Sequence, residues 1–347
     1  MTAEPRLVRG TAPVWTTVDP YDEASLVTRI EHFMTRLVRG SHEDTCGSMA
    51  VEHLATGGKR LRARLAARAA VSLGVAPEVT IPWAAACELL HNASLIHDDL
   101  QDGDDMRRGA TALWARHGQA QAINAGDLLL MMPTLALTHL DAEPSVRWLL
   151  AECVARNAAE TARGQSDEIA LRRNQDTRRD AYLRAATGKT AGLFGMPVEG
   201  AALLAGLPVS EALRLAKPFR QLGLLYQVQD DVVDLFGDKG RGHRGADIAE
   251  GKVSALVVAH LEQHPDDAAW LHAILSRSRH ETTLDDIAAV TKRFEEGGAL
   301  DAVLRLIQEL VAEVRGGLPD QPMLRAVCDG LLERILRPLA LLQREIW

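Results

Sequence analysis

Aromatic residues are scarce in this chain, at 4% of 347 residues. Sheets draw on aromatic and β-branched side chains, whereas the alanine and leucine that dominate here suit closely packed helices. Only four cysteines occur, Cys46, Cys87, Cys153 and Cys328, and their scatter matches neither a disulfide framework nor a zinc spacing. A reducing cytoplasm is the expected location. The 14 prolines are too few for a disordered chain that is 47% hydrophobic. No run of 18 uncharged apolar residues is present, so no membrane span is expected. The N-terminus lacks a basic stretch followed by an apolar one, so no signal peptide is expected. With 39 basic against 47 acidic residues the net charge is -8, which argues against a general nucleic-acid binder.

What the chain does have is helical periodicity. Residues 1–23 read as an irregular arm, and a single all-helical domain covers 24–347. Helices are expected over 24–38, 43–55, 59–73, 82–99, 119–139, 146–171, 178–191, 195–205, 208–236 and 250–261. Four more are expected over 264–278, 283–295, 297–314 and 320–344. Gly-Leu-Pro at 206–208 and Gly-Gly-Leu-Pro at 316–319 are the breaks. No segment alternates for long enough to read as a strand.

Two aspartate clusters of the same shape stand out, Asp98-Asp99-Leu100-Gln101-Asp102 and Asp230-Asp231-Val232-Val233-Asp234. Each follows a largely apolar stretch. On a helix Asp98 and Asp102 share a face, roughly 6 Å apart along the axis, and Asp230 and Asp234 repeat the arrangement. Crowded carboxylates repel one another and resist burial. Divalent cations shared with a polyanion resolve that conflict, and Mg²⁺ favours such oxygen ligands. The pair therefore points to a Mg²⁺-dependent diphosphate enzyme, whereas either cluster alone would read equally well as a solvated helix end. Neither an EF-hand nor a P-loop is present.

A diphosphate also needs cationic donors. Gly57-Gly58-Lys59-Arg60-Leu61-Arg62 opens a helix after two glycines, where free N–H groups, Lys59 and Arg62 suit an anion. Arg107 and Arg108 follow the first cluster; they read equally as a salt-bridge network or as one arginine for each of two diphosphates. Gly188-Lys189-Thr190, Gln227, and the segment Gly245 to Lys252 each have an ordinary structural reading when taken alone. His91 and His97 have no zinc-ligand pattern around them.

Taken together and in this order, GGKRLR at 57–62, HDDLQDGDDMRRG at 97–109, GKT at 188–190, YQVQDDVVD at 226–234 and DIAEGKVS at 247–254 resemble the all-trans isoprenyl diphosphate synthases, or polyprenyl synthetases. The resemblance runs from about residue 45 to 260. It implies the all-α isoprenoid synthase fold around a deep central cavity, a homodimer, and head-to-tail condensation of an allylic diphosphate with isopentenyl diphosphate. It further implies that Asp98, Asp99, Asp102, Asp230 and Asp234 hold Mg²⁺, three ions per substrate-bound site, with Asp231 in support. Arg107, Lys189, Gln227 and Lys252 would address the allylic substrate. Lys59, Arg62, His91 and Arg108 would bind isopentenyl diphosphate, with Thr190 and Gln227 near the reacting carbons. One departure is Gly242, which stands where the family has a lysine; Arg241 or Arg244 are the candidates to replace it.

The growing chain is expected to lie beneath the first cluster against Leu89, Leu90, Ala93 and Ser94. In the family a large aromatic at 93 or 94 stops growth near C15, and both residues are small here, so C20 or C25 is expected. Met131, Met132 or Leu135 are alternative floor residues. The competing readings are a class I terpene cyclase and a non-catalytic partner subunit of a heteromeric synthase.

Overall fold

The computed structural model describes residues 22–40, 44–237 and 244–340. Arg241 and Gly242 lie outside the described residues, as does nearly all of the expected N-terminal arm. Among the described residues the helices are α1 (Glu23–Arg39), α2 (Thr45–Ala55), α3 (Leu61–Ser72), α4 (Ile81–Asp102), α5 (Leu113–His117), α6 (Gln119–Leu137), α7 (Pro144–Asn174) and α8 (Arg179–Ala186). They continue with α9 (Gly192–Leu204), α10 (Val209–Phe236), α11 (Ala246–Ala249), α12 (Ala255–Gln263), α13 (Ala268–Leu275), α14 (Leu284–Glu296), α15 (Ala299–Gly316) and α16 (Pro322–Ala340).

Local chemistry sets several boundaries. Asp22 caps α1 by accepting from the N–H groups of Ala24 and Ser25, and Thr283 with Asp286 forms a capping box on α14. Gly103, with φ of 72°, ends α4 directly after Asp102. Both aspartate clusters therefore sit in the last turns of long helices, α4 and α10. A helix C-terminus carries partial negative charge, so the carboxylates there are disfavoured twice over and invite cations.

Helix α9 is buried from Gly192 to Leu203, which makes it the inner element of the bundle. It packs against α3, α4, α7 and α10. Trp83 on α4 donates from Nε1 to the carbonyl of Pro197 on α9, at 3.0 Å. Helix α10 in turn packs on α15 and α16, and α4 packs on α6 and α3.

Three sequence expectations change, one of them the helix expected over 250–261, which begins only at Ala255. A short antiparallel pair, β1 (Met106–Arg107) with β2 (Ala110–Thr111), follows α4 where no strand was expected. Arg108 and Gly109 both have positive φ, 53° and 79°, as a tight two-residue hairpin turn requires. The helix expected over 178–191 keeps its extent but changes type at its end. Residues Thr187–Ala191 form one π turn that joins α8 to α9.

Candidate active site

Helix α4 runs through Asp102, so Asp98 and Asp102 do lie one turn apart. Neither makes a hydrogen bond or ion pair with the described residues. Burial raises the Asp98 carboxyl to about 6 even though Lys189 pulls it down. Burial raises Asp102 as well, against Lys189 and Lys252. Asp99 behaves differently. It is 2% exposed, and its Oδ1 accepts from Nε of Arg107 at 2.6 Å and from Nη2 of the same guanidinium. The expected cation ligand Asp99 and the expected diphosphate contact Arg107 are thus committed to each other.

Lys189 and Lys252 share one carboxylate, that of Glu168 on α7. Lys189 Nζ pairs with Glu168 Oε2, and Lys252 Nζ lies 3.5 Å from Oε1 of the same group and 3.5 Å from Asp247 Oδ1. Burial opposes the charged state of Glu168, but Lys252 and Lys189 hold its carboxyl below the ordinary value. Sequence reasoning missed Glu168. The available signal was Gly164, one helical turn earlier, a lone glycine inside a strongly helical stretch.

That glycine explains how Lys189 is placed. A Cβ on Gly164 would lie 2.0 Å from the Lys189 nitrogen, so α7 touches the π turn backbone to backbone. From the other side, a Cβ on Gly223 of α10 would lie 2.7 Å from Ala191 Cα. The π turn is clamped between two bare stretches of helix. Single π turns recur at functional sites because they redirect side chains within a continuous helix. Here the turn presents Lys189 and Thr190. Thr190 Oγ1 donates to Gln227 Oε1 at 3.2 Å, and Gln227 Nε2 donates to Asp231 Oδ1 at 3.1 Å.

The second cluster divides its work. Asp231 is buried, and its Oδ2 accepts from Tyr182 Oη and from the Ala255 N–H, both at 2.7 Å. Burial and then Asp247 push its carboxyl well up. Asp234, expected as a cation ligand, is also buried, and its Oδ2 accepts the Asp247 N–H at 3.0 Å. Asp231 and Asp234 thus hold down the chain that carries Lys252. Asp230 is half-buried on α10, on the face it shares with Gln227 and Asp234 by helical spacing. Gln227, Asp231, Lys189, Lys252 and Glu168 border a cavity of about 20 Å³.

The basic half centres on Arg62, which is 9% exposed. It has no hydrogen bond or ion pair with the described residues, and its Nε is unpartnered. The guanidinium lies over the Phe194 ring at 4.6 Å. Burial lowers its pKa. His91 is held neutral by burial and by Arg62 and Arg108, and its buried Nδ1 is also unpartnered. Arg108 lies on the Gly57–Gly58 backbone and donates to the Gly57 carbonyl. Arg60, at φ of 48°, anchors this turn through Glu31 at 2.7 Å and the Leu54 carbonyl at 2.6 Å. Arg60 and Arg108 are two of three non-glycine residues with positive φ among the described residues, and such backbone strain tends to gather at functional sites. Lys59 stands apart. It is exposed and lines a surface cavity of about 310 Å³ with Arg64, Arg68 and Arg334.

Below the first cluster, Leu89, Leu90 and Ala93 are buried, and the Ser94 hydroxyl donates to the His91 carbonyl at 2.8 Å. Of the alternative floor residues only Met132 is buried. Met131 and Leu135 are 57% and 46% exposed, so α6 turns them outward.

The family model for polyprenyl synthetases matches residues 44–293. The chain belongs to the polyprenyl synthetase family. A (2E,6E)-farnesyl diphosphate synthase from Mycobacterium tuberculosis is 34% identical over 277 residues, 76% of each chain. A geranylgeranyl diphosphate synthase from Methanosarcina mazei is 30% identical over 287 residues, covering 80% of this chain and 86% of that one. Among solved structures, a Caulobacter crescentus polyprenyl synthase complexed with calcium and isoprenyl diphosphate superposes with a TM-score of 0.79 at 26% identity, over 90% of this chain and 94% of that one. The relatives are trans-prenyl diphosphate synthases, so neither the terpene cyclase nor the non-catalytic subunit is favoured. The family is generally Mg²⁺-dependent.

Proposed function

We propose that the chain condenses isopentenyl diphosphate head-to-tail (1'-4) with an allylic diphosphate, releasing diphosphate and forming an all-trans prenyl diphosphate of C20 or C25. One observation carries this reading. Among the described residues Asp98 and Asp102 feel the charges of Lys189 and Lys252 but pair directly with neither, while buried Arg62 feels Glu88 but makes no direct ion pair and leaves its Nε unpartnered. Isolated buried charge is costly, so each half is completed by what it binds.

The donor set fits a hard cation. The available groups are carboxylate oxygens in the last turns of α4 and α10. That suits Mg²⁺, which takes one or two carboxylates and shares the rest of its shell with substrate phosphates and water. Mg²⁺ held by Asp98, Asp102 and Asp230, three ions per substrate-bound site, would neutralise charge on the departing diphosphate.

The chain's own residues do the rest. Lys189 and Lys252 exchange Glu168 for the allylic diphosphate and stabilise its charge as the carbon–oxygen bond breaks. Thr190 and Gln227 place hydroxyl and amide dipoles beside the carbon that becomes cation-like. Arg62 and Arg108 hold the isopentenyl diphosphate as charges, and neutral His91 adds a hydrogen bond. Lys59, exposed on the far side of the Gly57–Gly58 turn, would have to swing inward to join them. The isopentenyl double bond attacks the allylic carbon, and the departing diphosphate takes the proton released. The tight packing around Gln227 and Asp231 keeps water from the cation. Asp99 and Arg107 brace each other, and Asp231 and Asp234 fix the Lys252 turn. Arg244 remains the described candidate for the lysine role at Gly242.

Incubation of the purified chain with isopentenyl diphosphate, Mg²⁺ and C5, C10 or C15 primers, read by chromatography and mass, tests the reading. No consumption of isopentenyl diphosphate with any primer overturns it. A homodimer is supported by exposed Ile123, Met131 and Leu135 on α6 and Trp148 on α7, the last 73% exposed. Light scattering should give twice the 37.7 kDa chain mass. Four unpaired cysteines support a cytoplasmic location. No helix among the described residues is long and apolar enough to cross a membrane.

A further inference from the structure

A line of alternating charge joins the two lips of the site. Arg107, bound to Asp99, places its Nη2 3.8 Å from Asp104 Oδ2. Asp104 Oδ1 lies 2.8 Å from Nη1 of Arg279, whose Nη2 lies 3.4 Å from Glu250 Oε1. Asp104 follows Asp102 by two residues, and Glu250 precedes Lys252 by two. A single guanidinium from the segment between α13 and α14 therefore spans the end of the first aspartate cluster and the turn that carries Lys252.

Each support is itself fixed. The Asp104 N–H donates to the Asp99 carbonyl at 2.9 Å, and its own carbonyl accepts from Trp114 Nε1 at 2.7 Å. The Glu250 turn is pressed against α13, since a Cβ on Gly251 would lie 2.1 Å from the Leu275 carbonyl oxygen. The segment bearing Arg279 is tied by Gln175 Nε2 to Ser276 Oγ at 2.7 Å and by Arg277 to Asp286 at 2.8 Å. An exposed ion pair usually contributes little. This one differs because Glu250 is only 10% exposed and the guanidinium serves two carboxylates at once. Arginine's planar fork does that, and a lysine ammonium reaches only one.

We infer that Arg279 is a positioning residue for the condensation: by bridging Asp104 and Glu250 it sets the spacing between the first aspartate cluster and Lys252, and with it the grip on the allylic diphosphate. The inference rests on the synthase reading above. It acts on the allylic half, because the isopentenyl half is held separately: Arg62 and His91 sit on α3 and α4, and Arg108, though next to Arg107, is tied to the Gly57 carbonyl.

Arg279→Ala and Arg279→Lys in the full chain test it. Kinetics would be measured with each substrate varied in turn. Binding of farnesyl thiolodiphosphate, which resists ionisation, would be measured by calorimetry with Mg²⁺. Arg279→Ala should raise the allylic KM and the analogue's Kd about tenfold, the scale of a coupling near 1.4 kcal/mol. The isopentenyl KM should stay unchanged, and Arg279→Lys should recover part of the loss. Glu250→Gln, which removes the other end of the bridge, should reproduce the selectivity. The double variant Arg279→Ala/Glu250→Gln should be no worse than Arg279→Ala. If Arg279→Ala does not fold, Arg279→Lys and Glu250→Gln carry the test. Unchanged analogue binding, both KM values rising in step, or additive losses would overturn the inference while wild-type condensation left the synthase reading intact. A wild type that condenses nothing overturns both.

Discussion

Gly164→Ala should disable the enzyme while leaving it folded. The new Cβ would lie 2.0 Å from the Lys189 nitrogen, 2.3 Å from the Gly188 carbonyl carbon and 2.7 Å from Lys189 Cα, all of them backbone atoms that cannot swing aside. Ordinary contact begins near 3.4 Å, so α7 and the π turn must separate by about 1.4 Å. Overpacking of this kind costs roughly 1–3 kcal/mol. Alanine recovers about 1 kcal/mol through helix propensity, so the net loss of about 0–2 kcal/mol should lower the melting temperature by only a few degrees. Catalysis is more sensitive, because a displacement of about 1 Å at a positioning group costs on the order of 100-fold. The assay is kcat for isopentenyl diphosphate incorporation alongside thermal melting. Gly223→Ala is the internal comparison: its Cβ meets Ala191 Cα at 2.7 Å and the Thr190 carbonyl oxygen at 2.9 Å, so it should be the milder variant. Wild-type kcat in Gly164→Ala, or Gly223→Ala proving the worse of the two, would refute the clamp.

Because burial raises Asp98 from 3.8 to about 6, the metal-free fold binds more protons than the unfolded chain between those values. This group's contribution to stability therefore falls as pH rises from 3.8 through about 6, and Mg²⁺, which needs the ionised form, should bind more weakly below about 6. Melting curves against pH with and without Mg²⁺ check both signs; a metal effect that does not change across that range counts against the assignment. Glu168→Gln removes the carboxylate shared by Lys189 and Lys252 and should destabilise the substrate-free protein by about 1–3 kcal/mol. Added pyrophosphate should restore the variant's melting temperature more than it raises the wild type's, and equal shifts would contradict the exchange of Glu168 for diphosphate. Ala93→Phe should shorten the product by at least one C5 unit in product chromatography; an unchanged distribution removes Ala93 from the floor.

The acidic clusters were legible because the apolar periodicity of α4 and α10 runs unbroken into them. Their division of labour was not. Spacing alone makes Asp98 and Asp102 equivalent to Asp230 and Asp234, but Asp234 is claimed by the Asp247 N–H, a contact made by the tertiary fold. The same contacts explain the helix expected from 250, which begins at Ala255 once Asp231 has taken that residue's N–H. The hairpin at Arg107 and Arg108 escaped notice because two-residue strands contain no alternation to read. The π turn escaped because one extra residue in a turn leaves composition and hydropathy unchanged. Met131 and Leu135 were one position away from the buried row Leu129, Met132 and Ala136, an offset that a 3.6-residue period resolves only when the packed face is known.

The wide turn at Thr187–Ala191 also acts as a phase shifter. Helices α8 and α9 are one rod in two rotational settings, the first exposing its charged side and the second enclosed on every side. Removing a single residue from that stretch would turn everything before it by about 100° relative to α9. Tyr182, whose hydroxyl meets Asp231, would then swing away from α10, and a purely geometric edit with no change of charge would release the second aspartate cluster from α8.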